Sequence, residues 1–158
     1  LKRLLFYFVV LAFVLTGCNT SAATKEGEEV DKPPKLWVEI SGQQYETVLG
    51  AYCWKSNSTA ECVDVAGSEV LLKDKEPIEI EAGETVTFGM DYEPLPNEVH
   101  LTQTSNKEIK DVAVTNFTFT APEEEGVYYY DIGVWWMDES NEDVSDGNAI
   151  YAIALKVK

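Results

Sequence analysis

Few side chains in this sequence offer chemistry beyond simple acid–base exchange. There are three cysteines (Cys18, Cys53 and Cys62), one histidine (His100), and 28 aspartates and glutamates. A thiol can be alkylated, oxidised to a disulfide, recruited as a metal ligand or used as a nucleophile. A zinc centre needs more Cys and His ligands than this spacing supplies. An electron-transfer copper site needs a second histidine beside a free thiolate. No His-Glu-x-x-His run and no Gly-x-Ser-x-Gly elbow occurs, so neither a zinc hydrolase nor a serine hydrolase is indicated. With so many carboxylates, some pair lies close together in any fold, so no glycosidase-type acid and base can be singled out.

The surroundings of Cys18 give it a specific reading. Lys2 and Arg3 form a short positive segment, and Leu4 to Leu15 is an unbroken apolar run of 12 residues. That is the length of a signal-peptide core and too short to span a bilayer as a helix. Leu15-Thr16-Gly17-Cys18 follows at once and resembles a lipobox, the processing signal of bacterial lipoproteins. The resemblance implies a thioether-linked diacylglyceryl group on Cys18 and cleavage just before it. Two acyl chains, at about 0.8 kcal/mol per buried methylene, hold a protein where one chain does not. Residues 1–17 are therefore expected to be a signal peptide, and the chain to be lipid-anchored at the extracytoplasmic face of the cell membrane.

That address bears on the other two cysteines. Outside the cytoplasm a disulfide is permitted, and Cys53 with Cys62 form the one remaining pair. If they are bridged, no thiol is left for Cys–His catalysis.

Charge narrows the partners. Loss of Lys2 and Arg3 with the signal leaves 10 basic residues against 28 acidic ones, a net charge of −18. Phosphate backbones need Lys and Arg, so nucleic acid is excluded as an expected partner. A polybasic membrane-binding face is equally absent from the sequence, which leaves the lipid on Cys18 as the membrane contact.

The elements that must position these residues read as β throughout. Residues 18–35 are polar, contain Pro33-Pro34, and suit a disordered tether. Its 17 residues after Cys18 reach at most about 60 Å when extended. From Leu36 to Lys158 a single β domain is expected. Leu36, Val38 and Ile40 alternate with polar residues. Val48–Trp54 and Ala60–Val65 flank the polar turn Ser56-Asn57-Ser58, and setting Cys53 opposite Cys62 sets Tyr52 opposite Val63. Ile78 and Ile80, then Val86, Phe88 and Met90, suggest a second hairpin about Ala82-Gly83. Residues 91–97 look like a loop, and Val99, Leu101 and Gln103 resume a strand. Phe117 and Phe119 alternate before Ala121-Pro122. Near the end, Tyr128, Tyr130, Ile132, Val134 and Trp136 share one face. So do Tyr151, Ile153, Leu155 and Val157. Pairing Trp136 with Ala149, and hence Val134 with Tyr151, keeps every inward pair apolar. No helical period and no repeat is evident. A single antiparallel β-sandwich of seven to nine strands follows.

Two resemblances attach to these residues. Gly126-Val127-Tyr128-Tyr129-Tyr130 after Glu123-Glu124-Glu125 resembles the tyrosine corner that leads into the penultimate strand of immunoglobulin-like sandwiches. Tyr130 stands where an antibody domain carries cysteine. Tyr52-Cys53-Trp54 with Cys62-Val63-Asp64 is similar to a signature in small uncharacterised lipoproteins of bacilli and relatives, over roughly Tyr52 to Lys158. That resemblance implies an extracytoplasmic β domain and brings no activity or site residue.

The expected function is that of a non-enzymatic binding or interaction module. Its partner would be an envelope protein or a cell-wall polymer, and no cofactor or metal is expected. On the outward face of the last hairpin, Tyr129, Asp131 and Trp135 flank Gly133, Ala152 and Ala154, which could shape a shallow aromatic groove. The alternatives are a carboxylate-dependent hydrolase and a calcium-dependent module using Asp138 to Gly147. That segment is dense in oxygen ligands but lacks the EF-hand spacing.

Overall fold

The structure is a computed structural model and describes residues 32–56 and 59–158. The expected signal peptide, Cys18 and most of the expected tether lie outside the described residues. So do Asn57 and Ser58 of the first turn.

Eleven strands are present among the described residues. They are β1 (Leu36–Ile40), β2 (Gln43–Glu46), β3 (Val48–Ser56), β4 (Thr59–Val63), β5 (Ile78–Ile80), β6 (Thr85–Met90), β7 (Glu98–Ser105), β8 (Glu108–Val112), β9 (Thr118–Thr120), β10 (Gly126–Asp138) and β11 (Asn141–Val157). One short helix, α1 (Ser68–Leu71), lies between β4 and β5. Strand order β2-β1-β6-β9 makes one sheet. The other runs β4-β3-β11-β10-β7-β8, with β5 added parallel to β11. The two sheets pack face to face as an all-β sandwich. The expected count of seven to nine strands was too low because β2 and β8 are largely exposed edge strands. Their polar residues give no apolar alternation to read.

The core follows the alternation. Val38, Val86, Phe88, Tyr130, Ile132, Val134, Tyr151 and Leu155 are essentially inaccessible to solvent. They come from β1, β6, β10 and β11, so the inner faces of both sheets meet there. Tyr130 is buried with its polar end satisfied, since its hydroxyl donates to Gln103 Oε1 at 3.0 Å. The phenol of Tyr128 donates to the Glu124 carbonyl at 2.9 Å.

The first hairpin has the expected register, with Cys53 opposite Cys62 and Tyr52 opposite Val63. The two sulfurs are bonded, with Cα atoms 4.1 Å apart.

Two expectations are corrected. The β10–β11 pairing is offset by two residues from the expected one, with Trp136 opposite Gly147, Val134 opposite Ala149 and Ile132 opposite Tyr151. A slip of two keeps every side chain on its face, so the inward set was right while its partners were not. The supposed hairpin about Ala82-Gly83 is a crossover: β5 joins β11 in one sheet and β6 pairs with β1 in the other. Gly83 turns the corner at φ +69, a conformation that favours glycine. Residues 64–77 carry α1 across the outer face of the large sheet.

The chain is packed against the fold earlier than Leu36. Pro33 and Pro34 are both buried, and the Tyr151 hydroxyl donates to the Pro34 carbonyl.

Candidate functional site

The outward face of β10 and β11 carries the residues singled out in the sequence. Tyr129, Asp131, Gly133 and Trp135 lie on β10, with Ala152 and Ala154 across from Asp131 and Tyr129 on β11. The structure separates these residues into two groups.

Tyr129 and Asp131 face the segment that bears α1. Leu72 is buried on Ala152 and Ala154, and Leu71, Val48 and Tyr129 pack around that contact. Small residues on the strands make room for the two leucines. Ser68 is 2% exposed and donates to Asp131 Oδ2 at 2.7 Å. Asp131 thus ties the crossing segment down, and Tyr129 forms part of its seat.

Trp135 stands beyond the crossing segment and is half-buried. A Cβ placed on Gly133 would come within 2.6 Å of its ring, so the indole lies on the glycine. His100 meets the ring edge-on, with centroids 5.3 Å apart. The His100 Nε2 in turn lies 2.7 Å from Glu98 Oε1. Glu98 pairs with Trp135 and His100 with Gly133 across β7 and β10. The result is an aromatic plate on a sheet surface with a hydrogen-bonding imidazole and carboxylate beside it. The sequence alone did not bring His100 to Trp135; the β7–β10 pairing does. The alternation of Glu98, His100 and Thr102 on one face was the signal available.

A second feature lies at the end of the sandwich and was not anticipated. Trp54, Tyr92 and Trp136 meet edge to face, with centroid separations of 5.0 Å for Trp54–Trp136 and 5.8 Å for each contact with Tyr92. The loop over 91–97 is fastened to β10 beside them. Trp136 Nε1 donates to the Pro94 carbonyl at 2.7 Å, and Asn97 both donates to the Met137 carbonyl and accepts from the Met137 N–H. A cleft of about 510 Å³ remains between this loop and the β10–β11 turn.

The acidic segment after Trp136 is mostly strand. β10 ends at Asp138 and β11 begins at Asn141, so Glu139 and Ser140 alone form the tip. A segment held in a ladder cannot wrap a calcium ion as a loop of ligands does. Among the described residues no group of three or more His, Cys, Asp or Glu side chains is placed to hold a metal ion. Ser140 donates to Asp138 Oδ1 from both its backbone N–H and its hydroxyl. Those bonds to Ser140 hold the Asp138 carboxyl below the usual aspartate range.

Comparison with protein-family models, with curated proteins and with solved structures gives no match.

Proposed function

We propose that the chain is a membrane-anchored extracytoplasmic lipoprotein whose β-sandwich acts as a non-enzymatic binding module near the membrane surface. It belongs with the small lipoproteins that its Tyr-Cys-Trp and Cys-Val-Asp runs resemble, and its sandwich is of the immunoglobulin-like kind. The partner is an envelope protein or a wall polymer reached from the lipid on Cys18. The observation that carries this reading is the Trp135 plate, an indole laid on Gly133 with Glu98 and His100 at its edge. An aromatic plate with hydrogen-bonding groups beside it suits stacking on a sugar ring or on a partner side chain. Tyr129 and Asp131 lie on the same outward face and hold the crossing segment there. Burial of Pro33 and Pro34 supports the short reach, since the tether available between Cys18 and the fold is the stretch before Pro33.

The test is capture of envelope components by the anchored protein with and without Trp135→Ala. The variant should fold, because the ring is half-buried on a sheet surface, and it should lose at least most of the captured partner. Equal capture by a folded Trp135→Ala protein would remove this face from the function.

A further inference from the structure

The cleft at the end of the sandwich combines two features that select one kind of ligand. Its inner wall is aromatic: Tyr92 is partly exposed, and Trp54 and Trp136 stand behind it. Its outer lip is anionic, with Asp138, Glu139 and Asp146 against the single cation Lys55. Lys55 Nζ is 3.8 Å from Asp146 Oδ1 and offsets that charge. Asp138 and Glu139 face no cation of their own among the ion pairs of the described residues. Two serine-derived hydrogen bonds fix Asp138 in place.

The walls are preorganised. The loop that carries Tyr92 and Pro94 is held by the indole of Trp136 and by the two-sided bonding of Asn97 to Met137. A ligand entering such a space meets fixed groups and pays little to order them. A volume of about 510 Å³ lies within the range of small-molecule sites.

The geometry points to a binding site for an organic ammonium group on an apolar stem, held in the cleft between Tyr92 and the carboxylates of Asp138 and Glu139. A cation is attracted to aromatic π-systems and to carboxylates at once, whereas an anion is repelled by both. The apolar stem has the Tyr92 ring and Leu95 of the same lining to lie against. An ammonium charge carried on carbon is common to free quaternary amines and to the lysine side chains of a basic peptide, so both are probed. This site does not involve Trp135 and stands or falls separately from the reading given to that face.

The experiment titrates the unlipidated Cys18→Ser protein with choline, with a short lysine peptide, and with 3,3-dimethylbutanol, the uncharged isostere of choline. The readout is the indole N–H resonances, of which the four tryptophans give four. Choline or the peptide should shift Trp136, and Trp54 with it, in a saturable manner and leave Trp37 and Trp135 unmoved. Whichever cation binds more tightly identifies the source. The Glu139→Gln, Asp138→Asn double variant changes exposed or half-buried side chains at a turn and should fold. Loss of two near-surface charge contacts should weaken binding about three- to tenfold. Equal binding of the uncharged isostere, unchanged affinity in the double variant, shifts centred on Trp135, or no saturable shift with any probe would each overturn the proposal.

Discussion

Trp54 and Trp136 stand on strands that are not neighbours, yet their ring centroids are 5.0 Å apart. β11 runs between them, and two strand spacings amount to roughly 9.5 Å. The residue of β11 opposite both is Gly147. With no side chain there, the two indoles close over the glycine backbone. This contact also accounts for the register of the last hairpin. The pairing expected from the sequence would set Trp136 opposite Ala149, whose partner on β3 is Tyr52, and so carry Trp136 two residues along β11 from Trp54 and Gly147.

Gly147→Ala should therefore be costly although the added group is one carbon. A Cβ at that position would lie 2.6 Å from the Trp54 ring. Overpacking of this kind typically costs about 1–3 kcal/mol. Urea unfolding followed by tryptophan fluorescence measures it. Gly67→Ala is the control, since nothing lies within 4 Å of the added carbon, and it should change stability by less than about 1 kcal/mol. Equal effects of the two substitutions would mean that the indoles do not depend on the glycine.

What the sequence disclosed about the fold divides along physical lines. The faces of β1, β3, β6, β10 and β11 were readable because alternation of Leu36, Val38 and Ile40, or of Tyr128 to Trp136, is a local property with a period of two. The partner of each strand was not local. Ile80 and Val86 lie close in sequence and belong to different sheets, and nothing in their composition distinguishes a hairpin from a crossover. The first hairpin was readable in register because Cys53 and Cys62 supply a covalent marker. At the candidate site, Trp135 was found from its face alone. The cleft was missed because Tyr92 sits in an irregular loop, and only the tertiary bonds of Trp136 and Asn97 bring it beside Trp54. The crossing segment was missed for a related reason: α1 has only four residues, too few to show a helical period, and its anchor is Ser68 meeting Asp131.

Reduction of the Cys53–Cys62 bond should destabilise the domain without dismantling it. The bridge spans a sequence separation of 9, and closing so short a loop contributes about 2–3 kcal/mol on the chain-entropy account. Its strands sit at the edge of the large sheet, with β4 largely exposed, so the main core between β1, β6, β10 and β11 stays intact. The midpoint of urea unfolding should drop for the Cys53→Ala, Cys62→Ala variant, while the far-ultraviolet β signal of the folded state persists. Complete unfolding of the variant in buffer at room temperature would show that the hairpin is more central than its position implies.

Ser68→Ala should loosen the crossing segment. The serine is buried, and its loss leaves Asp131 Oδ2 without that donor. Removing one partner of a hydrogen bond to a charged group costs roughly 1.5–3 kcal/mol. Much of that should appear as local opening, because Leu71 and Leu72 provide most of the remaining attachment. Hydrogen exchange of the Leu71 and Leu72 amides, which bond to the Gly67 and Ser68 carbonyls, reports it directly. These amides should exchange faster in the variant, while those of the β10 ladder change little. Uniform acceleration across the sheet would assign Ser68 to global stability instead.

The attachment of Pro34 to the sandwich makes a prediction about alkaline pH. The Tyr151 hydroxyl donates to the Pro34 carbonyl, and its ring is 1% exposed. Burial raises the Tyr151 phenol above its ordinary value of 10.0, and burial raises that of Tyr130 likewise. A folded-state pKa above the unfolded one means that the neutral phenols stabilise the fold fully below about pH 10. As pH rises past that point, ionisation in the unfolded chain draws the equilibrium away from the native state. Tyr151→Phe cannot ionise at this position and also lacks the hydroxyl that meets Pro34. At neutral pH the variant should be less stable, by about 0.5–1.5 kcal/mol for the lost hydrogen bond. Between pH 9.5 and 11 its stability should fall less steeply than that of the parent, with Tyr130 and Tyr52, whose phenols are also raised, contributing to the slope that remains. Melting curves of both proteins across that range provide the comparison, and parallel slopes would show that Tyr151 does not contribute to the alkaline loss.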